Sequence, residues 1–216
     1  MGRARDISKV FSTNTALATD TEVSGSYLTL ASASTTYQTK ATAGLTLLNT
    51  TSFSAQTTVS INDVFSATYT NYKLMLILTS AAVDTSVYFK LRVGGADESG
   101  SFYTYSRIQT INNATPANQN STNSNAGWEI LDMDAGTTGN KYVFQMDLFD
   151  PFGTVNTNAH FTYKGFGTTG NPLFGVSGSI LNTLTSYTGF TIVSSSNLAG
   201  TVSVYGYNKW SGIKEI

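Results

Sequence analysis

The chain has no cysteine, one histidine, three prolines and few charged residues. Without cysteine it forms no disulfide and has no thiolate for catalysis or for binding a metal. Charged residues make up 12% of the 216 residues, and the formal net charge is −1. The usual charged share of a soluble domain is about twice as large. So little charge excludes broad electrostatic binding of nucleic acid or of an acidic membrane surface.

Long apolar runs are also absent. The longest, "YKLMLIL" at 72–78, is too short to cross a bilayer and is typical of a buried strand. The basic N-terminus is not followed by an apolar stretch of the kind found in secretory signals. We therefore expect a protein that is made in a cytoplasm, without a signal peptide and without a membrane-spanning segment.

Small polar residues take the place of charges: 34 Thr, 25 Ser, 17 Asn and 19 Gly account for 95 of the 216 residues. Ser, Asn and Gly disfavour helices, because they stabilise other backbone conformations, and they suit turns between strands. Apolar residues make up 40% of the chain and include 12 Tyr and 12 Phe, enough for a core. The composition predicts an all-β protein.

The composition changes near residue 45, which predicts two regions. Residues 1–46 hold few large aliphatic side chains, whereas residues 47–216 alternate apolar and polar residues in short segments separated by turn signals such as "DAGTTGN". We predict about ten strands in the second region. This pattern favours an antiparallel β-sandwich head with a jelly-roll-like arrangement, preceded by an extended anchor and stalk segment.

The first region contains a small internal repeat. The segment "YLTLASAS" at 27–34 aligns with "YQTKATAG" at 37–44, a period of 10 residues. Such a short unit cannot bury a core alone, so it must stack on neighbours or on other chains. The alternative is a flexible linker, which the same Ser and Thr content permits. The predicted stalk residues are Tyr27, Leu28, Leu30, Tyr37 and Leu45.

Side chains that could carry catalysis are sparse. His160 is the only candidate triad base, and the chain has no G-x-S-x-G sequence. Asp132, Asp134 and Asp147 are the acids that could cleave a glycoside. The segment "DMDAG" lacks the further ligands of a calcium loop. We expect no catalytic, cofactor-binding or metal-binding residue, and a carbohydrate-degrading protein remains an alternative.

Binding requires only shape and suitable side chains. The Asn-rich stretch 112–127 is the candidate contact loop, because long loops on rigid sandwiches commonly carry recognition; its alternative is a disordered spacer. Aromatic rings stack on sugar CH groups while amides bind sugar hydroxyls, although each ring can equally belong to the core. The candidate recognition residues are Asn118, Asn120, Asn123 and Trp128, with Tyr103, Tyr105, Tyr205, Tyr207 and Trp210 as further aromatic candidates.

Several quoted segments also resemble a known class of proteins. "MGRARDISK", "NTALATDTEV" and the tandem repeat resemble the N-terminal stretches of tail-fibre and other fibre-like virion proteins of tailed bacteriophages, especially marine cyanobacterial ones. The part from residue 53 onward is similar to a β-rich module of such proteins. The resemblance implies a homotrimeric, non-enzymatic virion protein, a short fibre or a tail or capsid appendage for host attachment. With only two repeats, a capsid decoration or cement protein is an alternative.

In this interpretation the basic N-terminus is an anchor peptide. Its cations pair with carboxylates or carbonyls on a capsid, portal or tail protein, and its apolar side chains add contact area. The competing use, as a nucleic-acid arm, is weak because three basic residues give only a salt-sensitive contact. We expect two further copies, virion proteins and a host-surface glycan as partners, with no cofactor, nucleic acid or membrane. The predicted docking residues are Arg3, Arg5, Ile7, Lys9, Val10 and Phe11.

Overall fold

The computed structural model describes residues 44–81, 83–111, 117–124, 126–133, 141–167 and 171–208. These residues form strands and connecting turns and contain no helix, which confirms the all-β prediction. Accordingly, no described segment is a helix long and apolar enough to cross a membrane. The described strands, in chain order, are β1 (Leu45–Ile61), β2 (Asn71–Ala81), β3 (Thr85–Val93), β4 (Ala96–Asp97), β5 (Tyr103–Ile111), β6 (Ala117–Ser124), β7 (Trp128–Met133), β8 (Tyr142–Phe149), β9 (Thr157–Gly167), β10 (Asn171–Leu181) and β11 (Gly189–Tyr207).

The strands form one antiparallel sheet built around two long strands, β1 and β11. Along one edge β11 pairs with β1. Along its other edge it pairs with β3 through residues 189–194 and with β2 through residues 198–206. The sheet therefore has two arms. The small arm continues from β3 to β4 and β7, and the large arm runs through β2, β8, β9, β10, β5 and β6.

The sheet curls so that the small arm packs against the large arm. β7 in the small arm contacts β5, β8 and β9 in the large arm. The register between β1 and β11 shifts between Phe53 and Thr58, and Ala55 there has a φ of 53°. Bulges of this kind bend a strand and increase its twist. The antiparallel prediction is confirmed, and a single curled sheet encloses the core as the two layers of a sandwich do.

Period-two alternation places the core side chains. β8 alternates buried and more exposed positions along its whole length, as the sequence "YVFQMDLF" predicts. Its buried residues face the apolar side chains of the neighbouring strands, so each strand contributes one row to the same core. The buried residues of β8 are Tyr142, Phe144, Met146 and Leu148.

Trp128, predicted to be a surface recognition residue, is instead fully buried. It begins β7 opposite Phe89, and the two rings stack with centroids 5.9 Å apart. Its Nε1 donates a hydrogen bond to the Ile180 carbonyl at 3.2 Å. The surface prediction is wrong because Trp128 occupies an inward position of the strand, where its large apolar ring contributes to the core. Tyr103 and Tyr105 are buried as well.

The Asn-rich stretch 112–127 was predicted to be a loop, but much of it is a strand. Residues 117–124 form β6, which pairs with β5 as the edge of the large arm. Backbone hydrogen bonds drive this pairing, so a polar edge strand needs no apolar alternation in its sequence. Asn118 lies opposite Ile108 and Asn120 opposite Ser106, and Asn123 lies further along β6.

Leu45, predicted to be a stalk residue, begins β1 and pairs with Tyr207 in the sheet. It is therefore part of the head, because its backbone completes the ladder with β11. All the described strands lie in one compact unit, Gly44–Lys209. The other predicted stalk residues and all the predicted docking residues lie outside the described residues.

Candidate functional site

Asp132, one of the candidate catalytic acids, belongs to an ion-pair cluster around the buried Arg107. Arg107 Nη2 lies 2.7 Å from Asp132 Oδ2 and 2.9 Å from Glu129 Oε1, and the Arg107 side chain is fully buried. The Tyr105 hydroxyl donates to Glu129 Oε2 at 2.8 Å. The Ser86 hydroxyl lies 3.1 Å from Glu129 and 3.0 Å from Asp132. The cluster joins β3, β5 and β7 and thus links the two arms.

The electrostatics of this cluster follow from burial and from the two neighbouring acids. Burial raises the pKa of Glu129, and a hydrogen bond with Asp132 raises it further, while Arg107 lowers it. Burial also raises the pKa of Tyr163 to about 12, and Arg107 opposes that shift. The Arg107 guanidinium carbon lies 5.8 Å from the centre of the Tyr163 ring. The cation is thus held between two carboxylates and an aromatic face.

Asp147, the second described candidate acid, lies in the large arm on β8. Its Oδ1 is 3.1 Å from Lys73 Nζ, and it accepts a hydrogen bond from the Tyr207 hydroxyl. Burial and this hydrogen bond raise the pKa of Tyr207 to about 12. His160 lies directly opposite Asp147 on β9 and is exposed. Asp147 therefore neutralises a lysine in a partly exposed cross-strand pair.

Both described candidate acids are thus engaged by a cation, Asp132 by Arg107 and Asp147 by Lys73. The third, Asp134, lies outside the described residues. Retaining and inverting glycosidases place two carboxyl groups on either side of the bond that they cleave. Within the described ranges, no group of three or more His, Asp or Glu side chains is arranged to hold a metal ion.

A second surface feature lies on the outer face of the large arm. Three shallow depressions, of about 310, 400 and 610 Å³, line neighbouring parts of β5, β8, β9 and β10. We call the part along β5, β9 and β10 the outer groove. It contains the exposed apolar side chains of Ile108, Phe174 and Val176. The outer groove is defined by Thr104, Ser106, Ile108, Thr110, Asn158, Phe174, Val176, Gly178 and Ile180.

Two glycines of β10 differ in what a side chain would meet. A Cβ on Gly175 would lie 2.1 Å from the Tyr163 ring, so packing requires glycine there. A Cβ on Gly178 would meet no atom within 4 Å. Gly178 lies between His160 on β9 and Ser106 on β5. It leaves an open gap in the outer groove.

A third feature lies where the described head begins and ends. Leu45 is 41% exposed and Leu47 is 55% exposed, and they pair with Tyr207 and Tyr205. We call these four residues the entry patch. The Asn208 backbone N–H donates to the Gly44 carbonyl at 3.0 Å, so the two ends of the described head lie side by side.

The residues that the sequence predicted to bind a partner lie in different parts of the structure. Asn118, Asn120 and Asn123 lie on β6 at the edge of the outer groove, and the first two are opposite groove residues. Trp128 belongs to the core, and Trp210 lies outside the described residues. Tyr205 and Tyr207, two of the further aromatic candidates, are in the entry patch. The predicted recognition set is therefore divided between the groove edge, the core and the entry patch.

Sequence reasoning missed Arg107, Glu129 and Gly178. Arg107 follows Tyr103 and Tyr105 at the same period of two, so a charge in a buried row was a visible signal. Gly178 interrupts the outward row of β10, which is also a visible signal. Glu129 carried no comparable signal, because its partners lie on other strands. No protein-family model, curated protein sequence or solved structure matches this chain.

Proposed function

We propose that the protein is a non-enzymatic virion component, a short fibre or a tail or capsid appendage, that displays its β head for attachment to a host surface. The region before the head, residues 1–43, docks on the particle and, with the first residues of β1, holds three copies together. The segment resemblance to fibre-like virion proteins motivates this proposal. The observation that carries it is the entry patch, because two exposed leucines, Leu45 and Leu47, lie where the two ends of the described head meet.

The physical argument concerns Leu45 and Leu47. A large apolar side chain gains about 1.5–3 kcal/mol when it is buried fully, so leaving two of them in water is unfavourable. In a trimer built around the preceding repeat, three entry patches meet near a shared axis and cover these leucines. The interface of the stalk then continues into the first strand of the head.

The head supports a display role in a second way. Its two described candidate acids, Asp132 and Asp147, are engaged in ion pairs, and hydroxyl groups line its exposed strand pairs. A weakly charged surface resists nonspecific binding to charged molecules. Three copies on one particle would also raise avidity for a repetitive host surface.

The proposal is tested by particle incorporation. Deleting residues 1–11 should leave the strand content of the purified protein unchanged, as circular dichroism would show, and should abolish its incorporation into virions. A matched control replaces Arg3, Arg5 and Lys9 with glutamine in the full-length chain, which should weaken incorporation without shortening the chain. Normal incorporation of the deletion variant would disprove the anchor, and a wild-type chain absent from purified virions would disprove the virion role.

A further inference from the structure

Gly178 has no structural reason to be glycine. It lies within β10, its φ is outside the left-handed region, and its missing side chain would meet no atom within 4 Å. Glycine weakens a strand, because it loses more backbone entropy on folding and adds no packing. A glycine inside a strand often marks a bulge, a bend, or a site where a ligand or another backbone approaches closely, and the pairing of β10 shows no bulge at Gly178.

We propose that the outer groove around Gly178 binds a neutral polysaccharide, an inference that rests on the proposed display role of the head. The groove runs along β10 from Phe174 to Ile180, six residues apart. At about 3.4 Å per residue this is about 20 Å, long enough for several sugar units of an extended chain. Two shallow depressions, of about 310 and 610 Å³, lie along it.

The side chains of the groove match the two kinds of surface that a sugar presents. Ile108, Phe174 and Val176, at 50%, 47% and 41% exposure, form an apolar strip for the CH groups of pyranose rings. The hydroxyls of Thr104 and Ser106 lie further along β5, towards the gap at Gly178, and can bind sugar hydroxyls. The absence of a side chain at Gly178 lets a ring approach the sheet beside Ser106, next to the apolar strip.

The charge of the groove selects a neutral ligand. The described outward residues of β5, β9 and β10 include two ionisable side chains, Lys164 and His160. Lys164 lies at the Phe174 end, 6.0 Å from that ring, and the exposed His160 lies opposite Gly178. On the adjacent β8, Asp147 is neutralised by Lys73. A nucleic acid needs several cations for phosphate contacts, and a charged peptide needs a complementary patch. A neutral polyhydroxyl chain needs neither.

The edge of the sheet extends the same surface. β6 pairs with β5, and Asn118 and Asn120 occupy the register positions opposite Ile108 and Ser106. The segment that the sequence identified as a recognition element therefore adjoins the groove. This juxtaposition was not visible in the sequence, because it depends on the pairing of β5 with β6 and with β10.

The experiment is affinity electrophoresis of the full-length protein through gels containing dextran, mannan or galactan, with alginate and dextran sulfate as acidic comparators. The test variant is Gly178→Thr, which adds a side chain where a Cβ would meet no atom within 4 Å and which suits a strand. The control is Ser52→Thr, which adds a methyl group to an exposed position on β1. We expect at least one neutral polysaccharide to retard the wild type and Ser52→Thr, with about tenfold weaker binding by Gly178→Thr.

Three results would overturn the inference: no retardation of the wild type by any neutral polysaccharide, retardation only by the acidic ones, or equal retardation of Gly178→Thr. A change in the native mass of Gly178→Thr would also overturn it, since the groove would then be an interface between copies. Incorporation of Gly178→Thr into virions separates the two proposals. Normal incorporation with lost binding supports both, whereas normal incorporation with unchanged binding contradicts only the groove.

Discussion

Arg107 Nη2 lies 2.7 Å from Asp132 Oδ2 although the Arg107 side chain has no exposed surface. The arginine belongs to β5 in the large arm, and the aspartate belongs to β7 in the small arm. A buried cation is expensive unless opposite charges and hydrogen bonds compensate it. The contact therefore holds the two arms in one relative position, because any slip would leave the guanidinium uncompensated.

Replacing Arg107 with methionine should destabilise the protein strongly. The variant leaves the partly buried Glu129 and Asp132 without their cation, and breaking such a pair costs about 3–5 kcal/mol. The matched control, Lys73→Met, removes the cation of a partly exposed pair and should cost less than about 1 kcal/mol. Urea unfolding followed by circular dichroism measures both. If both variants lose the same free energy of unfolding, the ion pairs of the buried Arg107 stabilise the fold no more than the partly exposed Lys73–Asp147 pair does.

Glu129 should make the stability depend on pH. Burial, with the hydrogen bond to Asp132, raises its folded-state pKa above the ordinary value of 4.5, so the folded chain holds this proton more tightly than the unfolded chain does. The stabilisation of the folded state by the protonated Glu129 carboxyl is therefore fully present below pH 4.5. It is lost as the pH rises through the raised pKa of the folded state.

The variant Glu129→Gln does not titrate at this position. The free energy of unfolding of the wild type minus that of the variant should therefore fall as pH rises from about 4 to about 8. Urea titrations at several pH values within that range measure the difference. A difference that stays constant or grows with pH would show that the carboxyl has no raised pKa in the folded state.

Two glycines on one strand should respond oppositely to alanine. In Gly175→Ala the new Cβ would lie 2.1 Å from the Tyr163 ring, and overpacking of this kind costs about 1–3 kcal/mol. In Gly178→Ala the Cβ would meet no atom within 4 Å, so stability should be unchanged or slightly higher. Thermal unfolding of both variants tests this contrast. A destabilised Gly178→Ala would mean that the gap has a structural cause.

The entry patch should control the assembly of the chain. The full-length protein should have a native mass near three times 23.1 kDa by light scattering on a sizing column. Replacing Leu45 and Leu47 with serine should lower this mass or make it concentration-dependent, because two apolar contacts per copy are lost. The control, Leu184→Ser, changes a leucine of 69% exposure in another segment and should leave the mass unchanged. A monomeric wild type would contradict the trimer.

Local sequence patterns predicted most of the strands. They predicted less well which side chains are buried and which strands pair. The alternation in β8 identified both the strand and its buried face, because a strand's two faces are encoded in neighbouring residues. Trp128 shows the limit: its strand was predicted, but its burial depends on Phe89 from another strand. The strand β6 was not predicted, because its polar sequence has no apolar alternation and the strand is held by backbone hydrogen bonds to β5.

The sequence by itself determined an all-β chain with a weakly charged, hydroxyl-rich surface, because composition and period-two alternation act within a few residues. Only the tertiary structure decided which charges meet and which gaps stay open. Arg107 meets Asp132 because the sheet curls, and Gly178 lies beside Ser106 because β10 pairs with β5 in one register. Both relationships depend on strand pairing between distant segments, and this pairing is set by the whole core.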